Sequence, residues 1–264
     1  MPSPTEITVA QLSRLIGLPD APALVDVRDD PEIEADPRVI PTAQRRTPNE
    51  VSSWARHYVG RTIVVVCQSG GSPSQAAAAL LRHEGHDAQT LEGGHDAWSK
   101  QDEPRVRAAR VPPRDHEGRT VWVTRARPKV VRIACPWLIR RFIDPRAVFL
   151  FVPPSEVAGV AAQAKATPFD VEGAAWNDRG NATTFDVMLE EFGLSSEPLL
   201  RMAAIVRGAD TGKLDLTPQS AGLLAICLGY SRMYREDLAQ LNGAMSLFDA
   251  CYRWARDAFS ERHG

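Results

Sequence analysis

Short apolar runs alternate with helical patterns along the first hundred residues of the chain. The run at 62–67 is continuous rather than alternating, which is typical of a strand that is covered on both faces, and further strands are predicted at 23–27 and 88–91. Helical patterns separate them, one opened by Thr8 and others at 51–58, about 73–84 and 95–99. This alternation predicts an α/β unit, a parallel sheet with helices on both faces.

A second, α-rich pattern begins near residue 120. Strands are predicted at 120–125 and 147–152, and the apolar stretch 130–143 is predicted to become a helix entered at Pro136. Ser155 is expected to cap an Ala-rich helix over 155–165. Further helices are expected to begin near Thr184, Glu197, Pro218 and Arg235. The chain is therefore predicted to carry an α-rich α+β domain behind the parallel sheet.

The strongest chemical signal follows the strand at 62–67, where a cysteine opens a Gly-rich loop. Pro73 and Ser74 suit the first turn and the cap of the next helix. Ligands bind at the carboxyl ends of parallel strands, and loop N–H groups with a helix dipole stabilise a thiolate there. We favour a nucleophilic cysteine over a buried small residue, because paired glycines allow close backbone approach. The loop consists of Cys67, Gln68, Ser69, Gly70, Gly71 and Ser72.

Three motifs in order resemble a rhodanese, or sulfurtransferase, domain over residues 5–105. They are Leu-Val-Asp-Val-Arg at 24–28, the loop at 67–72, and Leu-Glu-Gly-Gly-His-Asp-Ala-Trp at 91–98. The resemblance implies that Cys67 carries sulfur as a persulfide and that the other loop residues bind substrate. Arg28 could orient an anionic donor or pair with Asp26, and we favour the pairing. His95 could help to bind substrate, but we favour a histidine on a surface loop.

The loop at 67–72 differs from the loops of related proteins in two respects, and each difference limits the chemistry that we predict. Related phosphatases close a longer loop with arginine, whereas Pro73 stands there in this chain, so we do not expect phosphoryl transfer. The loop also lacks the cationic residue that many thiosulfate-using members carry, which leaves the sulfur donor open.

Charge and composition limit the partners that we expect. The chain has 264 residues and a net charge of −2, which argues against general nucleic-acid binding. Residues 105–146 hold twelve basic and three acidic side chains, a local charge of +9, and include a predicted basic linker at 106–119. This basic segment could attract oxyanions or nucleic acid, or neutralise the protein's own acidic surface. Four scattered cysteines, no secretory signal and no membrane span predict a cytoplasmic protein.

The second half resembles the ChrB-type chromate-resistance domain over residues 120–258. The motifs are 132–145, 149–153, 205–210 and 215–222, the first reading Arg-Ile-Ala-Cys-Pro-Trp-Leu-Ile-Arg-Arg-Phe-Ile-Asp-Pro. The resemblance implies a link to chromate sensing or tolerance. Polar candidates for an oxyanion such as chromate are Arg132, Asp178, Arg179, Arg207 and Asp210, although ion pairs at turns are an equal alternative. No histidine lies between residues 121 and 262, so we expect no metal and no cofactor.

These observations predict a sulfurtransferase linked to chromate resistance. A thiosulfate-type donor would load Cys67, and a small thiol or cyanide would accept the sulfur. The alternative is a non-enzymatic sensor or regulator that responds to chromate or another oxyanion, with a vestigial rhodanese half.

Overall fold

The computed structural model of the protein describes residues 5–261. The chain divides into two compact units. The first unit ends at Ala109 and also takes in Arg141–Ile143, and the second comprises Arg110–Arg140 and the chain from Asp144 onward. Each unit is described by itself below.

The first unit is built on a five-stranded sheet with the order β1-β6-β5-β2-β4, and all of its neighbouring strands are parallel. A separate antiparallel pair joins β3 to β7. The seven strands are β1 (Glu6–Ile7), β2 (Ala23–Asp26), β3 (Arg38–Val39), β4 (Gln44–Arg45), β5 (Ile63–Val66), β6 (Ala88–Leu91) and β7 (Val106–Arg107). The predicted parallel sheet is confirmed. The predicted linker, however, begins with strand β7.

Helices connect these strands, as the alternating pattern predicts. They are α1 (Val9–Ser13), α2 (Asp30–Ala35), α3 (Val51–Trp54), α4 (Ser72–His83) and α5 (Gly94–Lys100). Thr8 opens α1 through a capping box with Gln11, as predicted. The predicted helix over 51–58 is α3 followed by the 3₁₀ turn Ala55–Tyr58. Helix α2 is short and has no buried residue. It therefore lacks the apolar stripe by which a helix is predicted from sequence.

The start of helix α4 differs from the prediction in one respect. Pro73 lies in the first turn as expected, but the cap position belongs to Gly71 and not to Ser74. Ser74 lies one turn inside the helix and is fully buried. The reason is that the Gly-rich loop brings the first turn of the helix to Cys67, so the serine hydroxyl contacts the sulfur and the Gly71 carbonyl oxygen instead of a backbone N–H of the helix end.

A core of small and branched side chains lies on one face of the first sheet. It includes Val25 and Val27 from the β2 region and Val65 and Cys67 from the β5 region, packed against α3 and α4. All four residues of β5 are buried, which agrees with a strand covered on both faces.

The second unit has a three-stranded parallel sheet with the order β10-β8-β9. Its strands are β8 (Val121–Arg125), β9 (Val148–Val152) and β10 (Thr167–Pro168). Its helices are α6 (Val130–Leu138), α7 (Val157–Ala164), α8 (Thr184–Phe192), α9 (Glu197–Thr211), α10 (Ser220–Met233) and α11 (Asp237–Asp257). The predicted helix-rich second region is confirmed, and its last four helices begin within two residues of the predicted positions.

Two predicted helix starts in this unit are wrong. Helix α6 begins at Val130 and contains Pro136 in its interior, where the chain continues into the π-helical turn Ile139–Ile143. Burial of eight of the nine α6 residues holds this segment helical despite the proline. Ser155 does not cap α7, because the 3₁₀ turn Pro154–Glu156 precedes that helix. No helix within residues 5–261 is long and apolar enough to cross a membrane.

Candidate functional site

Cys67 lies at the carboxyl end of β5, directly before the loop that leads into α4. Its residue surface is 2% exposed. The Cys67 Sγ atom lies 3.1 Å from Ser74 Oγ and 3.8 Å from the carbonyl oxygen of Gly71. Ser74 Oγ also donates to the Gly71 carbonyl oxygen over 3.0 Å. The hydroxyl therefore stands between the sulfur and the loop backbone and can turn its proton toward either.

The loop after Cys67 keeps several backbone donors open. Within the described chain, the N–H groups of Gln68, Ser69, Gly70 and Gly71 have no hydrogen-bond acceptor. Neighbouring N–H groups of this kind can stabilise an anion, because each provides a fixed partial positive charge. The loop thus has the donors that a thiolate or persulfide at Cys67 would need.

Helix α5 fixes the shape of this loop. The N–H of His95 donates to the Cys67 carbonyl oxygen and the N–H of Asp96 to that of Gln68, each over 2.9 Å. The Gln68 side chain in turn donates to the Asp96 carboxylate over 2.6 Å. The carbonyl groups of Cys67 and Gln68 are therefore turned toward α5 and satisfied there.

Close packing explains the Gly-Gly pair that precedes α5. Gly94 has a φ of +58°, and a Cβ atom there would lie 2.3 Å from the Cys67 carbonyl oxygen and 2.5 Å from Gly70 N. Gly70 has a φ of +75°, and its Cβ would lie 2.8 Å from Gly93 N. Only glycine fits these contacts, so the motif at 91–98 shapes the cysteine loop.

His95 is not the surface histidine that the sequence analysis expects. It is buried, and its Nε2 lies 3.1 Å from the carbonyl oxygen of Arg38. Burial lowers the pKa of His95, and the charge of Arg28 lowers it further. The helix register of α5 turns this ring into the unit, where a neutral imidazole is favoured.

Arg28 is buried and bound within its own unit. Its guanidinium donates to both Asp26 carboxylate oxygens and to the carbonyl oxygens of Asp36 and Arg38. These contacts are the structural pairing favoured by the sequence analysis. A donor-binding role for Arg28 would require breaking a buried ion pair, so the geometry gives it no support.

The oxyanion candidates of the second unit gather partly around Asp170, a residue that the sequence analysis did not single out. Asp170 is buried with a φ of +51°, and its carboxylate faces Arg125 and Arg132 at 3.0 and 3.2 Å. Thr184 Oγ1 donates to the same carboxylate over 3.2 Å. Burial raises the pKa of Asp170, and the two arginines offset this only in part.

The remaining candidates are held by separate partners. Arg207 pairs with Asp186 at 2.6 Å, and Arg179 pairs with Glu191 at 2.6 Å. The carboxylate of Asp178 accepts hydrogen bonds from Thr184 N and Oγ1 at the start of α8, and that of Asp210 accepts one from Val131 N at the start of α6. An oxyanion at Arg132, Arg179 or Arg207 would therefore have to displace a carboxylate.

The basic segment is largely paired with nearby acids. Within the second unit, Arg114 contacts Asp144, Arg119 contacts Asp115 and Glu117, and Arg110 contacts Glu191. These pairs agree with the alternative in which the segment neutralises the protein's own acidic side chains.

Of the other cysteines, Cys135 and Cys227 are buried and Cys251 is half-buried. Burial raises the pKa of Cys135 well above its ordinary value and that of Cys227 to about 12. Deprotonation, which metal binding requires, is therefore disfavoured at both. Within residues 5–261, no group of three or more His, Cys, Asp and Glu side chains is arranged to hold a metal ion.

The chain matches two protein families, one over each region. Residues 8–101 match the rhodanese-like domain, the class already indicated by the parallel sheet and the loop at Cys67. Residues 122–255, about half of the chain, match the family described as ChrB, C-terminal domain. The protein belongs to this ChrB family and carries a rhodanese-like domain in its first half.

Parts of the chain are also similar to individual proteins. Protein ChrB of Cupriavidus metallidurans is 33% identical over 159 residues, which cover 57% of this chain. The match covers 46% of the relative, so the chain spans about half of its length. Among solved structures, the rhodanese-like domain protein of Staphylococcus aureus is 29% identical, covers 36% of this chain and 90% of its own, and has a TM-score of 0.31. A rhodanese-related protein of Thermoplasma volcanium is 24% identical. The match covers 39% of this chain and 97% of that protein, with a TM-score of 0.34.

Proposed function

We propose that the protein is a sulfurtransferase that carries sulfane sulfur on Cys67. In the first half-reaction the Cys67 thiolate attacks the outer sulfur of thiosulfate. A bond forms between Sγ and that sulfur, the sulfur–sulfur bond of thiosulfate breaks, and sulfite leaves with the electron pair. The products are a Cys67 persulfide and sulfite. A thiol or cyanide then removes the outer sulfur and returns the thiolate.

One observation carries the proposal, which is the placement of the Cys67 sulfur in a loop with open N–H groups. A buried structural cysteine needs no such loop, whereas an anionic sulfur is stabilised by donors that are already oriented. Helix α5 holds the loop in place through two backbone bonds, so these N–H groups belong to a segment whose shape is already fixed.

We further propose that this activity belongs to a chromate-resistance system. The support is the family match of the second half and the likeness to a relative named Protein ChrB. The alternative, an oxyanion-responsive regulator, has less support from the described residues, because Arg132, Arg179 and Arg207 already face carboxylates.

The test is to incubate the protein with thiosulfate and to look for one added sulfur atom on Cys67 by mass spectrometry. We expect the Cys67→Ala variant to lose thiosulfate:cyanide sulfur transfer by at least about 10³-fold, since covalent catalysis then has no nucleophile. Cys251→Ala is the control, because Cys251 is only half-buried and lies on α11. Substantial turnover by folded Cys67→Ala protein would exclude the covalent mechanism.

A further inference from the structure

A cavity of about 590 Å³ opens at the carboxyl edge of the first sheet. The chain segments that follow β2 and β4 form its walls. Its lining residues are Val27, Arg28, Asp29, Asp30, Arg45, Arg46, Thr47 and Pro48. Its volume lies within the range of roughly 300–1,000 Å³ that is usual for small-molecule sites.

The register of the sheet places this cavity beside Cys67. Val25 is paired with Gln44 on one side and with Val65 on the other. The ladder continues beyond these residues, since Val27 N donates to Val66 O over 2.8 Å and Arg46 N to Asp26 O over 2.9 Å.

Two residues further along the three strands are Cys67, Val27 and Arg46, which therefore form a row on the same face of the sheet. Adjacent strands lie about 4.8 Å apart, so the Cα atoms of Arg46 and Cys67 are separated by about 10 Å. Val27, between them, lines the cavity.

Most charges that line the cavity are already paired. Arg28 is bound to Asp26, and Arg45 is bound to Asp30. The Asp29 carboxylate accepts a hydrogen bond from Glu32 N at the start of α2. These groups therefore have their partners within the unit.

Arg46 is different, because no carboxylate in the described chain pairs with it. Its guanidinium donates to the carbonyl oxygen of Arg45 over 2.9 Å and to Gln44 Oε1 over 2.8 Å. Its Nε–H is buried and has no acceptor. A half-buried arginine that contacts only neutral oxygens has its charge available for an anionic ligand.

We propose that this cavity binds the anionic end of the sulfur acceptor, a small thiol that carries a carboxylate, and that Arg46 receives the carboxylate. The inference rests on the proposed sulfurtransferase function. Thiosulfate is too small to fill the cavity or to extend over about 10 Å from Cys67. A carboxylated thiol can place its sulfur at Cys67 and its carboxylate at Arg46 at the same time.

The transfer step follows from this placement. The thiolate of the acceptor attacks the outer sulfur of the protonated Cys67 persulfide and forms a new sulfur–sulfur bond. The bond between Cys67 Sγ and the outer sulfur breaks, and its electron pair remains on Sγ. The products are the persulfide of the acceptor and the Cys67 thiolate.

Steady-state kinetics with two acceptors test the subsite. With reduced glutathione as the probe, Arg46→Gln should raise KM about tenfold and leave kcat within about twofold. With glutathione diethyl ester, whose carboxylates are blocked, or with cyanide, Arg46→Gln should change KM by less than about twofold. The thiosulfate half-reaction should also be unchanged.

Two further variants control for charge and folding. Arg56→Gln removes an exposed arginine from the same unit and should leave all KM values unchanged. Arg46→Lys retains the positive charge and should keep the KM for glutathione within about threefold of the wild type. An equal rise of KM with glutathione and its diester in Arg46→Gln, or no rise with either, would overturn the subsite.

A binding measurement separates this proposal from the sulfurtransferase proposal. S-methylglutathione cannot react, so its binding to Cys67→Ala protein can be measured by calorimetry and compared with Cys67→Ala/Arg46→Gln. About tenfold weaker binding by the double variant supports the subsite, even if thiosulfate fails to load Cys67 and the proposed function falls. Equal binding by both variants overturns the subsite, even if Cys67 carries sulfur.

Discussion

The Cys67 loop and the Asp170 cluster are both polar centres at turns, yet they use their polar groups in opposite ways. Around Cys67 two loop carbonyls, those of Cys67 and Gln68, are satisfied by α5, while the N–H groups of Gln68 to Gly71 have no acceptor in the described chain. Around Asp170 the carboxylate receives Arg125, Arg132 and Thr184.

The difference shows where a ligand can bind without first breaking contacts. At Cys67 the loop N–H groups have no acceptor in the described chain, so a developing negative charge can attract them without competition. At Asp170 an oxyanion would compete with a buried carboxylate for the same arginines. Arginine-rich sequence therefore indicates an anion site only where the chain does not supply the counter-charge.

The largest expected effect comes from breaking the ion pair below the Cys67 loop. Arg28→Gln would leave the Asp26 carboxylate buried without its counter-charge, so we expect the free energy of unfolding to fall by about 3–5 kcal/mol. Urea unfolding measures this. Arg45→Gln is the matched control, because the Arg45–Asp30 pair is largely exposed and should contribute less than about 1 kcal/mol. A stable Arg28→Gln protein that fails to react with thiosulfate would instead support substrate binding by Arg28.

The next effect tests the support of the loop by α5. Gly94→Ala would force a Cβ atom to within 2.3 Å of the Cys67 carbonyl oxygen, so the loop must move. We expect persulfide formation to slow about 100-fold and stability to fall by about 2–3 kcal/mol.

Gly85→Ala provides the matched control for this variant. Gly85 also has a positive φ, +87°, but nothing lies within 4 Å of its Cβ position. The free energy of unfolding of Gly85→Ala should fall by about 1 kcal/mol from backbone strain alone, and this variant should keep full activity. Equal activity in the two variants would show that the close approach of Gly94 to the loop is unimportant.

A smaller effect is expected from the hydroxyl beside the sulfur. Ser74→Ala removes an O–H that can donate to the Cys67 thiolate over 3.1 Å, so persulfide formation should slow about tenfold. Ser53→Ala removes an exposed hydroxyl from α3 of the same unit and should change the rate less than twofold. Stopped-flow measurement of sulfite release compares the two, and identical rates would exclude Ser74 from stabilising the sulfur.

The smallest effect is expected at Asp170, although its carboxylate faces two arginines. Burial raises its pKa above the ordinary value of 3.8, so its ionised form is less favourable in the fold than in the unfolded chain. Its contribution to stability therefore falls as pH rises from the ordinary value through the raised pKa. Asn stays neutral, keeps an oxygen for Thr184, and tolerates the positive φ.

We therefore expect Asp170→Asn to change the free energy of unfolding by less than about 1 kcal/mol at pH 7. Below the raised pKa of Asp170 both side chains are neutral. The free energy of unfolding of the variant minus that of the wild type should therefore be larger at pH 7 than below this pKa. Urea unfolding across this pH range measures the difference. A loss of about 3 kcal/mol at pH 7 would show that the ion pairs of Asp170 are strongly stabilising.

The sequence by itself determined several of the elements and the nucleophile candidate. Four consecutive β-branched residues specify β5, Thr8 and Gln11 specify the start of α1, and Pro73 marks the first turn of α4. Each of these features depends on residues within a turn or a strand of one another, so a local pattern contains the necessary information.

Only the tertiary structure decided which polar groups meet. The burial of His95, the contact of Ser74 with Cys67, the approach of Gly94 to the loop and the pairing of Arg132 with Asp170 all join side chains across different elements. The row of Cys67, Val27 and Arg46 depends in the same way on the order of the strands. The physical reason is that a polar side chain takes its partner from whatever packing brings near it, and packing is set by the fold as a whole.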